Sequence, residues 1–93
     1  MLLFSGVTGE LLAVMNASAI TAIRTAAVSA VATRALARPG SSRLAIVGAG
    51  VQARAHLAAI ADVLPLTHVR VAGRDSTRVS RLNPIFFMTL ATE

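Results

Sequence analysis

The sequence contains no cysteine, lysine, tryptophan or tyrosine, and it has only three phenylalanines. Without cysteine the chain can form neither disulfides nor thiolate metal sites, which suits a cytoplasmic protein. The nine arginines are scattered along the chain with no aromatic stacking residues among them, although the net charge is +5. Because single-stranded nucleic acid is bound by basic grooves interleaved with aromatic side chains, we expect no nucleic-acid partner.

A long uncharged apolar run is also missing. The longest run between charged residues, Leu11 to Ile23, has thirteen residues, whereas a membrane-spanning helix needs about 20. The first ten residues lack the basic segment that precedes the apolar part of a secretory signal. We therefore expect a cytoplasmic protein with neither a signal peptide nor a membrane span.

The first forty residues predict a short hairpin followed by a long helix. Apolar runs at Leu2–Phe4 and Leu11–Met15 flank a segment with two glycines, which is typical of a turn between strands. Asn16 is a favourable N-cap, and the helix formers of Ala17–Ala37 end before Pro39. Apolar residues occur on nearly every side of this helix, so the pattern predicts that it is largely buried.

The next part of the chain predicts a parallel strand–helix–strand unit. Leu44–Val47 is a continuous apolar run of the kind found in buried parallel strands, and a glycine-rich turn follows it. Val51 to Val63 has a helical pattern, and Val69–Ala72 is a second short strand. This order predicts a right-handed crossover. The fold class is therefore α/β, a partial Rossmann-type unit preceded by the hairpin and the long helix.

The turn after the first of these strands is Gly48-Ala49-Gly50-Val51-Gln52-Ala53, which matches G-x-G-x-x-A. In this motif the first glycine permits a tight turn, the second lets the backbone approach a pyrophosphate, and the small last residue permits close helix–strand packing. Backbone N–H groups at the start of the helix then bind the phosphates. The alternative is a glycine turn without a ligand, but its place between a strand and a helix favours dinucleotide binding.

The second strand ends at Gly73-Arg74-Asp75, where the adenosine ribose of a dinucleotide would lie. An acid at this place binds the 2′-hydroxyl of NAD, and an arginine accommodates the 2′-phosphate of NADP. Arg74 lies 26 positions after Gly48, and Arg78 can assist it, so we favour NADP. Asp75 keeps NAD open, and a solvated surface charge is the alternative for Arg74.

Arg24 and Thr25 lie within the apolar long helix. A buried arginine is costly unless it is paired, so we expect Arg24 to bind a substrate carboxylate, a cofactor phosphate or an unidentified acid. His56 and His68 have neither a second metal ligand nor a nucleophile at useful spacing. Structural or surface roles are expected for both, with no metal site and no Ser-His-Asp arrangement.

The run Arg24 to Ala30, followed by Ala37-Arg38-Pro39 and then by Gly48 to Ala53, resembles the ornithine cyclodeaminase and mu-crystallin family. The resemblance extends from the first residues to about Arg78. It implies relatives that are NAD(P)-dependent homodimers: ornithine cyclodeaminases, alanine dehydrogenases and NADP-dependent reductases of cyclic imino acids (ketimines). In the cyclodeaminase reaction, ornithine would be oxidised to an imine, ring closure would release ammonia, and returning hydride would give proline.

By this resemblance, Arg24 would hold the carboxylate of a small amino or imino acid, and Thr25 would contact the cofactor phosphates. The backbone of Ala49 to Gln52 would bind the pyrophosphate, and Arg74 would lie at the adenosine ribose. Family members are several times longer, and their catalytic acid has no counterpart in this chain. We therefore identify no catalytic residue here.

The resemblance also divides the chain. Residues 1–40 correspond to the end of a substrate and dimerisation region with its connecting helix, residues 41–79 to a partial NAD(P)-binding Rossmann unit, and residues 80–93 to a divergent tail without a clear helix or strand pattern. We interpret the chain as a truncated family member. Three function classes stay open: an enzyme of this family, a non-catalytic nucleotide-binding module, and an inert remnant that does not fold.

Overall fold

The computed structural model describes residues 1–82 and, as backbone only, residues 88–91. In that part of the chain a small antiparallel hairpin comes first, a long helix follows, and a parallel sheet with two further helices completes the order. The predicted α/β architecture is confirmed, including the strand, glycine loop, helix and strand of a partial Rossmann-type unit.

The hairpin pairs strands β1 (Leu2–Phe4) and β2 (Leu11–Val14), as the paired glycines predict. Ser5 closes the turn, because its N–H donates to the Glu10 carbonyl at 2.8 Å and its carbonyl accepts from the Gly9 N–H at 3.0 Å. Gly9 has a φ of +75°, which glycine adopts without strain. The turn therefore depends on the glycine at this position.

The long helix α1 (Ala17–Leu36) has nearly the bounds that the sequence predicts. Asn16 is the N-cap, and its side-chain oxygen accepts a hydrogen bond from the Ser18 N–H at 2.9 Å. Ala37 leaves the helix in an extended conformation, with φ −66° and ψ 145°, two residues before Pro39. A polar cap at one end and a nearby proline at the other therefore set the length of α1.

The prediction that α1 is largely buried is wrong. Its buried residues are Ala26 and Ala30, which lie on one side of the helix. Large apolar side chains on its other sides are exposed: Ile23, Val28, Val31 and Leu36. The reason is that helix α2 (Val51–Ala61) packs against one side of α1 and leaves the others open. Apolar residues on all sides allow a helix to be buried on all sides, but only the sides against which other elements pack become buried.

By length and composition, α1 is also long and apolar enough to cross a membrane. It carries Arg24 and Arg34, and the core helix of a soluble protein passes the same test. The expected absence of a membrane span therefore stays a prediction.

The sheet has the strand order β3 (Arg43–Val47), β4 (His68–Ala72) and β5 (Met88–Ala91), and both pairings are parallel. Helix α2 connects β3 to β4, as the sequence order predicts. Two parallel neighbours cannot be joined by a tight turn, so the chain crosses one face of the sheet between them. This crossover brings the ends of β3 and β4 together at one edge.

One face of the sheet carries the core. Leu44 and Ile46 on β3 lie opposite Val69 and Val71 on β4, and these alternate positions share one face. Val69 and Val71 are buried, while the β3 pair is half-buried and packs against them. Helices α2 and α3 (Ser76–Ser80) cover this face. The buried cluster is Ala53, Leu57, Val69, Val71, Val79 and Leu82.

The tail, in which the sequence shows no clear helix or strand pattern, contains the strand β5. The backbone of Met88–Ala91 pairs in parallel with β4. A short edge strand is stabilised by backbone hydrogen bonds to a partner distant in sequence, which a local pattern does not show. Pro84 and the Phe86-Phe87 pair, which suggested an irregular segment, lie outside the described residues.

Candidate phosphate-binding site

The glycine loop turns sharply at the carboxyl end of β3. Gly48 has a φ of +103°, where a residue with a β-carbon would be strained. Its N–H donates to the Ala72 carbonyl at 2.7 Å, which ties the loop to the end of β4. The tight turn expected of the first glycine is therefore present.

The start of α2 presents backbone N–H groups that no side chain caps. Gly50 is the N-cap, and the first turn contains no acidic residue. By contrast, Asn16 and Asp75 cap α1 and α3 through side-chain oxygens. The first N–H groups of a helix lack intrahelical acceptors, and the helix dipole adds partial positive charge there. This end of α2 therefore suits an external anion.

The glycine loop is open to solvent at its two glycines and closely packed where helix α2 meets the sheet. A β-carbon built on Gly48 or Gly50 would meet no atom within 4 Å, so a ligand can approach the backbone. Ala53, at the last position of the motif, is buried in the cluster that includes Val71. A larger side chain at Ala53 would push α2 away from the sheet, because protein interiors are close-packed.

The ends of β3 and β4 frame an open cleft of about 490 Å³. Its lining residues are Gly48, Ala49, Gly50, Gly73, Arg74, Asp75 and Arg78. In open α/β sheets, ligands bind at the carboxyl ends of the strands, which is where this cleft lies. The structure thus places the loop residues and Arg74 side by side, as the sequence predicts for a dinucleotide site.

In the described part of the chain, Asp75 caps helix α3 and pairs with Arg78. One carboxylate oxygen accepts from the Arg78 N–H at 3.2 Å, which caps α3, and the other pairs with Arg78 Nε at 3.2 Å. Both groups are more than half exposed, so the ion pair itself stabilises little. Arg74 is exposed and makes no hydrogen bond or ion pair within residues 1–82. Within residues 1–82, the Arg74 guanidinium is therefore open to a ligand, whereas the Asp75 carboxylate already has a partner.

Sequence reasoning assigned no role to Gly73. A β-carbon there would lie 3.0 Å from Val79 Cγ2 and 3.4 Å from Ala49 Cβ. Gly73 therefore allows α3 and the glycine loop to approach the end of β4. The local signal was a glycine directly after a strand, which often marks close approach of another segment.

The sequence also gave no role to Arg54 or Arg81. They are separated by 27 positions, yet Arg54 Nη2 donates to the Arg81 carbonyl at 3.2 Å beside the loop. A scattered set of arginines in the sequence gave no sign of this proximity, because it arises only when α3 folds back next to α2.

Arg24 and Thr25 do not join this cleft. Both are exposed on α1, and neither lines the space around the glycine loop in residues 1–82. The prediction that Arg24 is buried is wrong, for the same reason that α1 is open on most sides. Its predicted role at a substrate carboxylate, and that of Thr25 at the phosphates, stay predictions.

His56 bridges α1 and α2. Its Nδ1 lies 2.8 Å from the Gln52 carbonyl, and its Nε2 lies 3.0 Å from Ser29 Oγ. A carbonyl only accepts, so a neutral His56 carries its proton on Nδ1 and accepts from the Ser29 hydroxyl. His68 is exposed and lies 3.0 Å from Thr67 Oγ1. The contacts of His56 therefore connect two helices, whereas the contact of His68 lies on the surface.

The family profile described as "Ornithine cyclodeaminase/mu-crystallin family" matches residues 1–84. The chain belongs to this family. L-lysine cyclodeaminase of Streptomyces rapamycinicus is 51% identical over 65 residues, which cover 70% of this chain and 19% of that relative. Ketimine reductase mu-crystallin of Mus musculus is 50% identical over 73 residues, which cover 78% of this chain and 23% of that relative.

A solved structure agrees with this membership. The Δ1-pyrroline-2-carboxylate reductase of Thermococcus litoralis, in complex with NADH and L-proline, has a TM-score of 0.93 and 34% identity over 99% of this chain and 30% of that chain. The resemblance seen in the sequence is confirmed, and so is the fold class. This family chain spans about a fifth of the length of the curated relatives it matches.

Proposed function

We propose that this chain is the dinucleotide-binding part of an ornithine cyclodeaminase/mu-crystallin-type protein and that it binds NADP(H). The observation that carries the proposal is that the turn at Gly48, the uncapped start of α2 and Arg74 adjoin one cleft. The similar Thermococcus reductase was solved in complex with NADH, which supports a nicotinamide dinucleotide as the ligand class.

The backbone is proposed to hold the pyrophosphate. The N–H groups of residues 49–52 donate to its oxygens, and Thr25 contacts the phosphates when α1 is close enough. A dinucleotide held here supplies hydride donor and acceptor chemistry at its nicotinamide. Two phosphate charges next to the start of α2 are stabilised by the dipole and by N–H groups that have no intrahelical acceptor.

The preference for NADP over NAD rests on Arg74 and Asp75. Each carboxylate oxygen of Asp75 already contacts Arg78, so a ribose hydroxyl would share these oxygens with a neighbouring positive charge. Arg74 lines the same cleft and is unpaired in residues 1–82, so its guanidinium can pair with a 2′-phosphate. Charge-assisted guanidinium–phosphate bonds are among the stronger polar contacts in proteins.

Titration of the purified chain with NADPH and with NADH tests this preference. We expect Arg74→Ala to weaken NADPH binding on the order of tenfold, about 1.4 kcal/mol, and NADH binding much less. Arg38→Ala is the matched control, because Arg38 is an exposed arginine that does not line this cleft. Equal losses for both cofactors in the Arg74 variant, or no loss, would refute the assignment.

The reaction proposed for the whole protein is hydride transfer at the amino or imino carbon of a small amino acid, with Arg24 holding the carboxylate. The lysine cyclodeaminase relative supports cyclodeamination of a diamino acid, for which we propose ornithine, and the mu-crystallin relative supports ketimine reduction as the alternative. Ammonia release from ornithine and NADPH oxidation with a cyclic imine separate the two. A chain that binds NADPH but performs neither reaction is a nucleotide-binding module.

A further inference from the structure

The parallel sheet has a second face, which lies opposite the core. Its residues alternate along β3 and β4 with the residues that face the core. Within the described part of the chain, the residues of this second face are all exposed: Arg43, Ala45, Val47, His68, Arg70 and Ala72. We call it the open face of the sheet, because α2 and α3 pack on the other side.

The open face is basic at the amino ends of its two strands. Arg43 on β3 lies opposite His68 on β4, and at the next position on this face Ala45 lies opposite Arg70. Neighbouring strands are about 5 Å apart, and side chains on one face of a strand recur about every 7 Å. Arg43 and Arg70 are therefore diagonal neighbours, with His68 at the third corner and the short Ala45 at the fourth.

The small side chain of Ala45 leaves a cleft between the two arginines. The cleft has a volume of about 450 Å³, and its lining residues are Arg43, Leu44, Ala45, His68 and Arg70. Within residues 1–82 no carboxylate lines it, and neither arginine side chain forms a hydrogen bond or an ion pair. Two guanidiniums at this spacing repel each other, and a bound anion offsets that repulsion.

The segment before β4 fixes the position of His68 at this cleft. The Ser42 carbonyl accepts from the Thr67 N–H at 2.8 Å and from the His68 N–H at 3.2 Å. The Thr67 hydroxyl donates to the same carbonyl at 3.3 Å and lies 3.0 Å from His68 Nδ1. Since that hydroxyl proton points to Ser42, Nδ1 carries a proton and donates to Thr67. Nε2 of His68 is then available to a ligand, as an acceptor in the neutral ring and as a donor in the protonated ring.

We propose that Arg43, His68 and Arg70 form a phosphate-binding site on the open face, for inorganic phosphate or a phosphate monoester. A carboxylate has two oxygens in one plane and matches one guanidinium fork. A phosphate group has oxygens in several directions, so a phosphate over Ala45 can accept from both forks and from His68 at once.

This site is separate from the proposed dinucleotide site. It lies at the amino ends of β3 and β4, whereas the glycine loop follows the carboxyl end of β3. The two sites share no lining residue. The inference therefore does not rest on the proposed function.

A nuclear magnetic resonance titration of the isotope-labelled chain with inorganic phosphate locates the binding. We expect saturable shifts of the amide signals of residues 43–45 and 68–70, which sodium chloride at the same ionic strength does not reproduce. Phosphate also suits the glycine loop, so the signals of residues 48–52 report that site separately.

Two single variants test the role of the arginines. Arg43→Ala and Arg70→Ala should each weaken phosphate binding at residues 43–45 and 68–70 on the order of tenfold. Arg34→Ala is the matched control, because Arg34 is an exposed arginine of α1 that lines neither cleft. Ala45→Glu keeps both arginines and places a carboxylate where the phosphate would bind, so it should abolish the shifts. Circular dichroism checks that each variant is folded.

Glycerol phosphate, titrated in the same way, distinguishes the two sources of the ligand. Tighter binding than that of inorganic phosphate assigns the site to monoesters, and equal or weaker binding assigns it to the free ion. Shifts confined to residues 48–52, shifts that sodium chloride reproduces, or arginine variants that bind like the wild type overturn the inference. None of these results depends on NADPH binding, so the proposed function is decided separately.

Discussion

Replacing Gly73 by alanine should lower the stability of the nucleotide-binding unit. The added methyl would lie 3.0 Å from Val79 Cγ2, closer than side-chain carbons normally approach, and 3.4 Å from Ala49 Cβ. Val79 is 0% exposed and sits in the core, so it cannot rotate into solvent. Overpacking of this kind costs about 1–3 kcal/mol. We expect a net loss of about 1–2 kcal/mol, since alanine also restricts the unfolded chain.

Thermal melting of the full chain by circular dichroism measures this effect. One kcal/mol corresponds to roughly 4–8 °C in a domain of about 60–100 residues, so the expected drop is about 4–16 °C. Gly6→Ala is the matched control, because a β-carbon there meets nothing within 4 Å and its φ is not positive. A Gly73 variant that melts with the wild type, while Gly6→Ala is also neutral, would refute the close-packing argument. A double variant with Val79→Ala should show non-additive losses, because the two sites touch.

Two further substitutions test the loop and the contact between helices. Gly48→Ala places a β-carbon at φ +103° with open space around it, so backbone strain alone should cost on the order of 1–3 kcal/mol. Thermal melting checks that cost, and unchanged melting would show that the turn relaxes freely. Ser29→Ala removes the hydroxyl that donates to His56 Nε2 at 3.0 Å, a loss of about 1 kcal/mol. Hydrogen exchange should then quicken in α1, whereas unchanged exchange would mean that Ala26 and Ala30 alone hold α1 on α2.

Several elements could be predicted because their causes are local. Asn16 caps α1 through its own side chain, and Gly48 adopts a backbone conformation that few other residues tolerate. Strand β3 could be recognised from the apolar run of Leu44–Val47, which ends at a glycine turn. Each of these signals lies within a few residues of the structure it specifies, so it can be recognised without knowing any partner.

Other predictions failed or were missing because their causes are distant in sequence. The apolar sides of α1 predicted burial, but burial depends on what packs against the helix, and α2 covers only the side with Ala26 and Ala30. The pairing of β5 with β4 left no mark in a four-residue run. The approach of Arg54 to Arg81 likewise depends on how α3 folds back beside α2.

The sequence by itself determined the order of elements from β1 to β4, the glycine loop and the family, because caps, glycine turns and apolar runs are properties of short segments. The tertiary structure alone decided that Arg24 is exposed and that Arg54 and Arg81 meet beside the loop. The physical reason is that the residue type fixes the charge of a side chain. Its contacts and its burial depend on segments that only folding brings together.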